Sequence, residues 1–166
     1  MDSKKSAPSL SHLSCREAQA PLVSALIKGF SRARGEEEAL TIARDVIWED
    51  AIRSGRSLAE VYSGTSLEAL LQVVQEVWAV DGTMEITNVE LTRETLCFDV
   101  TACEYAEMYE RLGLRKMGCL LSCDRDFPFM EGFNPDIQLQ RTQTIMEGAD
   151  HCDFRYRKRL PPTTTG

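Results

Sequence analysis

The sequence predicts an α+β domain in which an antiparallel sheet of two hairpins is covered by helices on one face. Three observations carry this expectation. Apolar residues recur at helical spacing as far as Trp78, the period drops to two after Gly82, and the same succession of helix and then alternation returns over residues 103–158. Alternation of this kind belongs to a sheet with one solvated face, whose other face must be covered by the helices.

The helical half spans residues 15–81. Leu22, Leu26, Ile27 and Phe30 form one stripe, Leu40, Ala43, Ile47 and Ala51 form the next, and Gly35 separates them. A short helical turn is expected over residues 57–62. Ser66 then caps a third helix, in which Leu67, Leu70, Leu71, Val74, Val77 and Trp78 share a face until Asp81-Gly82 ends it. The sheet half spans residues 82–160. Leu96, Phe98 and Val100 alternate with Cys97, Asp99 and Thr101, whereas Met84 and Ile86 differ in parity from Val89 and Leu91, so a bulge near Thr87-Asn88 would turn both pairs toward the core. Residues 92–94 make the turn. Helix is expected over 103–112 and, more weakly, 115–124, followed by a loop over 127–135. Ile137, Leu139 and Ile145 define a third strand, residues 147–150 a turn, and Cys152, Phe154 and Tyr156 a fourth strand. The termini, residues 1–14 and 161–166, are rich in Ser, Lys, Pro and Thr and read as loose tails.

With 166 residues, 43% of them hydrophobic, the chain can build one domain around a real core. Its net charge of −7 repels nucleic-acid phosphate and anionic lipid, so neither is expected as a partner. The longest apolar stretch, from Ala69 to Val80, is interrupted by Gln and Glu and falls short of the roughly 20 residues a bilayer requires. Lys4 and Lys5 are followed by Ser and Pro rather than by an apolar run, so the N-terminus does not read as a secretory signal and a soluble, cytoplasmic protein is expected. Six cysteines would stay reduced there and act in packing, ligation or chemistry. The spacing Cys119-x3-Cys123 with His151-Cys152 lacks paired CxxC knuckles, and adjacent strand residues point to opposite sides, so no metal is expected. Neither a Gly-rich phosphate loop nor a GxSxG or HExxH motif occurs, and no cofactor is expected.

Two inward positions stand out. Arg141 shares the parity of Ile137, Leu139 and Ile145, which places a guanidinium on the apolar side of the sheet, where it needs a carboxylate. That carboxylate is either internal, from Asp124 or Glu107, or supplied by a substrate. Cys152 shares the inward parity of Phe154 and Tyr156. Cys103, at a strand-to-helix junction, and Cys123, beside Asp124, can converge on the same side, while Cys15 and Cys97 look like filler. His12 falls in the tail and reads as a bystander.

The run Cys103-Glu104-Tyr105-Ala106-Glu107, then Leu112-Gly113, Cys123-Asp124, Gly132-Phe133-Asn134-Pro135, Arg141-Thr142-Gln143-Thr144, Gly148-Ala149-Asp150 and Cys152-Asp153-Phe154 resembles the signature of the L-2-amino-thiazoline-4-carboxylic acid hydrolase family. The resemblance covers roughly residues 84–158. Residues 148–156 are also similar, more weakly, to vinyl-reductase-type ligand-binding domains. The first resemblance implies addition of water to the amidine carbon of a five-membered ring and cleavage of its carbon–sulfur bond, giving N-carbamoyl-L-cysteine. Such chemistry needs a nucleophile, for which Cys103, Cys123, Cys152 or an activated water are the candidates, and a proton donor, for which Asp124 is the candidate. Arg141 would hold the substrate carboxylate. The second resemblance implies a small-molecule sensor without turnover, and a homo-oligomeric scaffold with a structural cysteine cluster is the third alternative.

Overall fold

The computed structural model describes residues 11–159, so the expected tails over 1–10 and 161–166 lie outside the described residues. Helix α1, His12–Arg34, begins inside the stretch expected to be loose, because Ser11 Oγ accepts the Ser14 N–H at 3.1 Å and caps it. It buries Ala20, Ser24 and Ile27, whereas Leu22, Leu26 and Phe30, expected to face the core, are exposed. Ala20, Ile27 and Ala43 share one apolar cluster, so small residues bring α1 close to α2, Glu36–Val61. Helix α2 runs without a break through Gly55 and absorbs the separate turn expected at 57–62. Helix α3, Leu67–Val73, is capped by Ser66 Oγ and continues as a π-helical turn, Val74–Trp78.

The sheet is four-stranded and antiparallel in the order β1-β2-β4-β3, with β1 at Met84–Leu91, β2 at Thr95–Cys103, β3 at Ile137–Gln140 and β4 at Cys152–Lys158. The fold is α+β, as expected. Phe98 pairs with Phe154 and Val100 with Cys152, so the inward parities of β2 and β4 fall on the same face. There Leu96, Phe98, Val100, Phe154 and Tyr156 form one core with Leu67, Leu70 and Val73 of α3 and with Phe129, Met130 and Phe133 of α6, Asp126–Phe133. The Phe98 and Phe154 rings stack at 4.9 Å, a pairing that contributes about 1 kcal/mol beyond the area it buries. Register shifts between Glu85 and Ile86 and between Thr87 and Glu90, with Asn88 at φ 53°, confirm the bulge. Its effect is opposite to the expected one, since Val89 and Leu91 turn outward.

Two further elements differ from expectation. Strand β3 stops at Gln140, because the Asp153 carboxylate accepts the N–H groups of Thr142 at 2.8 Å and Gln143 at 2.9 Å and so diverts donors from the ladder; Ile145 lies in a 3₁₀ turn. The expected loop over 127–135 is mostly helix α6. Pro128 sits in its first turn, where a missing N–H costs nothing, and Gly132 meets α2. A Cβ on Gly132 would lie 2.0 Å from the Ile52 carbonyl oxygen, and one on Gly55 would lie 2.2 Å from that of Phe129. The two helices therefore touch main chain to main chain. Helices α4, Glu104–Arg111, and α5, Arg115–Leu121, complete the second apolar cluster with Met108, Tyr109 and Leu121.

Candidate active site

The inner face of the sheet does not close completely against the helices, and the space between them is a cavity of about 470 Å³. Much of its wall is apolar, built by Leu58 of α2, Val77 and Trp78 of the π turn, Phe98 of β2, Phe129 of α6 and Phe154 of β4. Extra residues in π turns re-aim side chains and recur at functional sites. Here the turn also leaves the Trp78 carbonyl free to accept hydrogen bonds from Thr83 Oγ1 at 2.6 Å and Tyr105 Oη at 3.2 Å.

Cys103, Cys123, Cys152 and Arg141 all line this cavity. Asp124 does not. Its side chain is exposed, and the acid on the wall is Asp126, in the first turn of α6. Arg141 lies just past the end of β3, with its guanidinium buried. Its Nη1 donates to Asp126 Oδ2, its Nη2 donates to the Cys123 carbonyl oxygen at 3.1 Å, and it stands 5.2 Å from the ring centres of both Phe127 and Phe154. The internal partner of Arg141 is thus neither Asp124 nor Glu107 but Asp126, and two of its donors are already engaged. Burial raises the Asp126 carboxyl to about 6, even though the guanidinium of Arg141 opposes the rise. A group that titrates there can both accept and return a proton near neutral pH.

The thiols behave differently. Burial pushes Cys152 up to about 11 and raises Cys103 as well, despite the position of Cys103 at the start of α4. Cys123 is raised chiefly because its thiol hydrogen bonds to Cys119, and the same contact lowers Cys119. The three cysteines of the cavity are therefore neutral thiols at physiological pH, poor nucleophiles but well suited to an apolar wall.

Among the polar residues on the wall that the sequence did not single out as site residues are His12, Arg16 and Tyr105. His12, expected to be a bystander, has its imidazole pushed down to about 4 by burial and by Arg16 and Arg125, so it is neutral. Its Nδ1 lies 2.9 Å from Tyr105 Oη and its Nε2 3.5 Å from Arg16 Nη2. Since Tyr105 donates to Trp78, the consistent tautomer carries the proton on Nδ1 and accepts at Nε2. A helix start could have revealed Asp126, because Asp126-Phe127-Pro128 combines an acid and a proline in a first turn. No pattern marked His12 and Arg16, one turn apart at the start of α1, because the composition there resembles a tail.

The fold has solved counterparts. The phenol-responsive sensory domain of the transcription activator PoxR, determined with phenol, superposes with a TM-score of 0.50 at 14% identity, over 86% of this chain and 74% of that one. A trafficking protein particle complex subunit 3 from Naegleria fowleri, covalently bound to palmitic acid, gives a TM-score of 0.52 at 9% identity, over 88% of this chain and 96% of that one. At such identities the likeness concerns the fold alone. No curated protein matches the chain. The family model described as L-2-amino-thiazoline-4-carboxylic acid hydrolase does match it, over residues 15–156, a span that takes in the helical half as well as the sheet; the chain belongs to that family.

Proposed function

We propose that the cavity binds a carboxylated cyclic amidine, of which L-2-amino-thiazoline-4-carboxylate is the family's example, and that the chain hydrolyses its ring with water as the nucleophile. The observation that carries this reading is the Asp126 carboxyl on the cavity wall, raised to about 6 among neutral thiols. As carboxylate, Asp126 takes one proton from the water whose oxygen bonds to the amidine carbon. The tetrahedral adduct then collapses, the new carbon–oxygen bond becomes a carbonyl, the carbon–sulfur bond breaks, and Asp126 returns the proton to the departing sulfur. The other water proton ends on nitrogen, so one water is consumed and an N-carbamoyl thiol is released. Cys103, Cys123 and Cys152 shape and dry the site in this scheme, and Arg141 holds Asp126 in place.

The test is mass spectrometry of carboxylated cyclic amidines incubated with the protein, read as gain of one water. Asp126→Asn should abolish the gain, and Cys103→Ser, Cys123→Ser and Cys152→Ser should each keep most of it. Loss of turnover in a folded Cys→Ser protein, with Asp126→Asn still active, would restore the thiolate mechanism. A second reading is favoured by the aromatic wall and by the structural neighbour that responds to phenol: binding of a small ring without turnover. It predicts saturable binding of uncharged aromatic molecules and no gain of water on any cyclic amidine.

A further inference from the structure

A second, smaller cavity of about 310 Å³ lies between α1 and α2, next to the first. Three residues border both: Arg16, Arg53 and Arg125. The seam between the two cavities is thus lined by guanidiniums, in a protein whose overall charge is −7. Among the described residues Asp50 lines the second cavity, and Asp126, already bound to Arg141, lines the first. Asp50 binds Arg125 Nη2 at 2.6 Å and Arg53 Nη2 at 3.1 Å. Among the described residues Arg16 has no carboxylate within ion-pairing distance. Its one side-chain partner is His12 Nε2, at 3.5 Å, and that imidazole is neutral. With Asp50 shared by Arg125 and Arg53, Arg16 is the guanidinium of the seam left without a paired carboxylate. A partly buried cation without a counter-ion is costly, and an anion brought by a ligand relieves the cost.

We propose that Arg16, supported by Arg53 and Arg125, is the anion subsite of the cavity, and that it, rather than the Arg141 already bound to Asp126, receives the carboxylate of the ligand. This rests on the reading of the cavity as the ligand site but not on hydrolysis. The ligand it selects is a planar ring, held by the aromatic wall, with a carboxylate directed toward α1, where the planar fork of Arg16 can donate to both of its oxygens.

The test compares benzoate with benzyl alcohol, an uncharged probe of similar size, by calorimetric titration of the whole chain at low and moderate salt. The native protein should bind benzoate roughly tenfold or more tighter than benzyl alcohol, as a charge-assisted hydrogen bond implies, and salt should weaken only the benzoate. Arg16→Gln should remove the preference while leaving benzyl alcohol affinity unchanged, and its melting temperature should not fall, since an uncompensated cation has been removed. Arg16→Lys should keep part of the preference and serves if the Gln variant does not fold. Equal affinities in the native protein, binding of neither probe, or an undiminished benzoate preference in the variants overturns the proposal. Neither probe can be hydrolysed, so retained benzoate preference in a protein inactive on every cyclic amidine would count against hydrolysis and not against the subsite.

Discussion

The Asp126–Arg141 pair makes the stability of this protein depend on pH in an unusual direction. A carboxyl that titrates at about 6 in the folded chain and near 3.8 when unfolded keeps its proton in the native state over the interval in which the unfolded chain has lost it. The folded state then binds more protons, so stability falls as pH rises from about 4 to about 6 and levels above that. A shift of about two pH units at about 1.4 kcal/mol per unit corresponds to about 3 kcal/mol. Asp126→Asn removes the titration and keeps an oxygen for the Arg141 N–H. At pH 4, where the native Asp126 is also uncharged, the variant should be close to the parent. By pH 7 it should have gained about 3 kcal/mol relative to it. Urea unfolding at half-unit steps from pH 4 to pH 8, followed by tryptophan fluorescence, to which Trp78 packed on Phe129 contributes, measures the difference directly. Subtracting variant from parent cancels the other carboxylates. A difference that stays flat, or that runs the other way, would show that Arg141 holds the carboxylate in its ordinary range, and Asp126 would lose its standing as the proton carrier.

Arg141→Lys should cost about 1–3 kcal/mol of stability, because an ammonium cannot serve Asp126 and the Cys123 carbonyl together or lie over Phe127 and Phe154; thermal unfolding checks this. Gly132→Ala should destabilise by about 2 kcal/mol or more despite the better helix propensity of alanine, since the added methyl meets the Ile52 main chain rather than a side chain that can rotate; an unchanged urea midpoint would refute the close helix contact. Under brief alkylation at pH 8, mass mapping of the folded protein should find Cys119 modified before Cys103, and Cys152 last, following their exposure and the direction of each thiol's shift.

Parity made much of the sheet legible. Leu96, Phe98 and Val100 and their partners Cys152, Phe154 and Tyr156 all lie inward because a strand offers only two faces and one of them was clearly apolar. Helices are less decisive. The spacing of Leu22, Leu26 and Phe30 marks a face, but Ala20 and Ser24 are the residues small enough for close helix contact, and size rather than hydrophobicity settled the orientation. Parity also led Arg141 to the cavity although the strand ends one residue earlier, and inward register with apolar neighbours took Cys152 there. The acid on the cavity wall lies two residues beyond the one singled out, because a helix read as a loop gives no face on which to compare Asp124 with Asp126. Arg16 could not be found at all from local pattern, since its significance depends on Asp50 being shared by two other arginines far along the chain.

The contact of Gly55 with α6 and of Gly132 with α2 sets a dimension as well as a packing arrangement. Ala51, Ser54 and Leu58 on α2 and Asp126 and Phe129 on α6 form two walls of the same cavity. The interval between those walls is gauged by peptide against peptide, with no rotamer in between that could yield to a bulkier guest. The chamber therefore behaves as a fixed calliper along that axis. Trimming Leu58 or Phe129 should enlarge the space by the volume removed, leaving the walls where they stand, so the range of rings admitted can be altered by side-chain replacement alone.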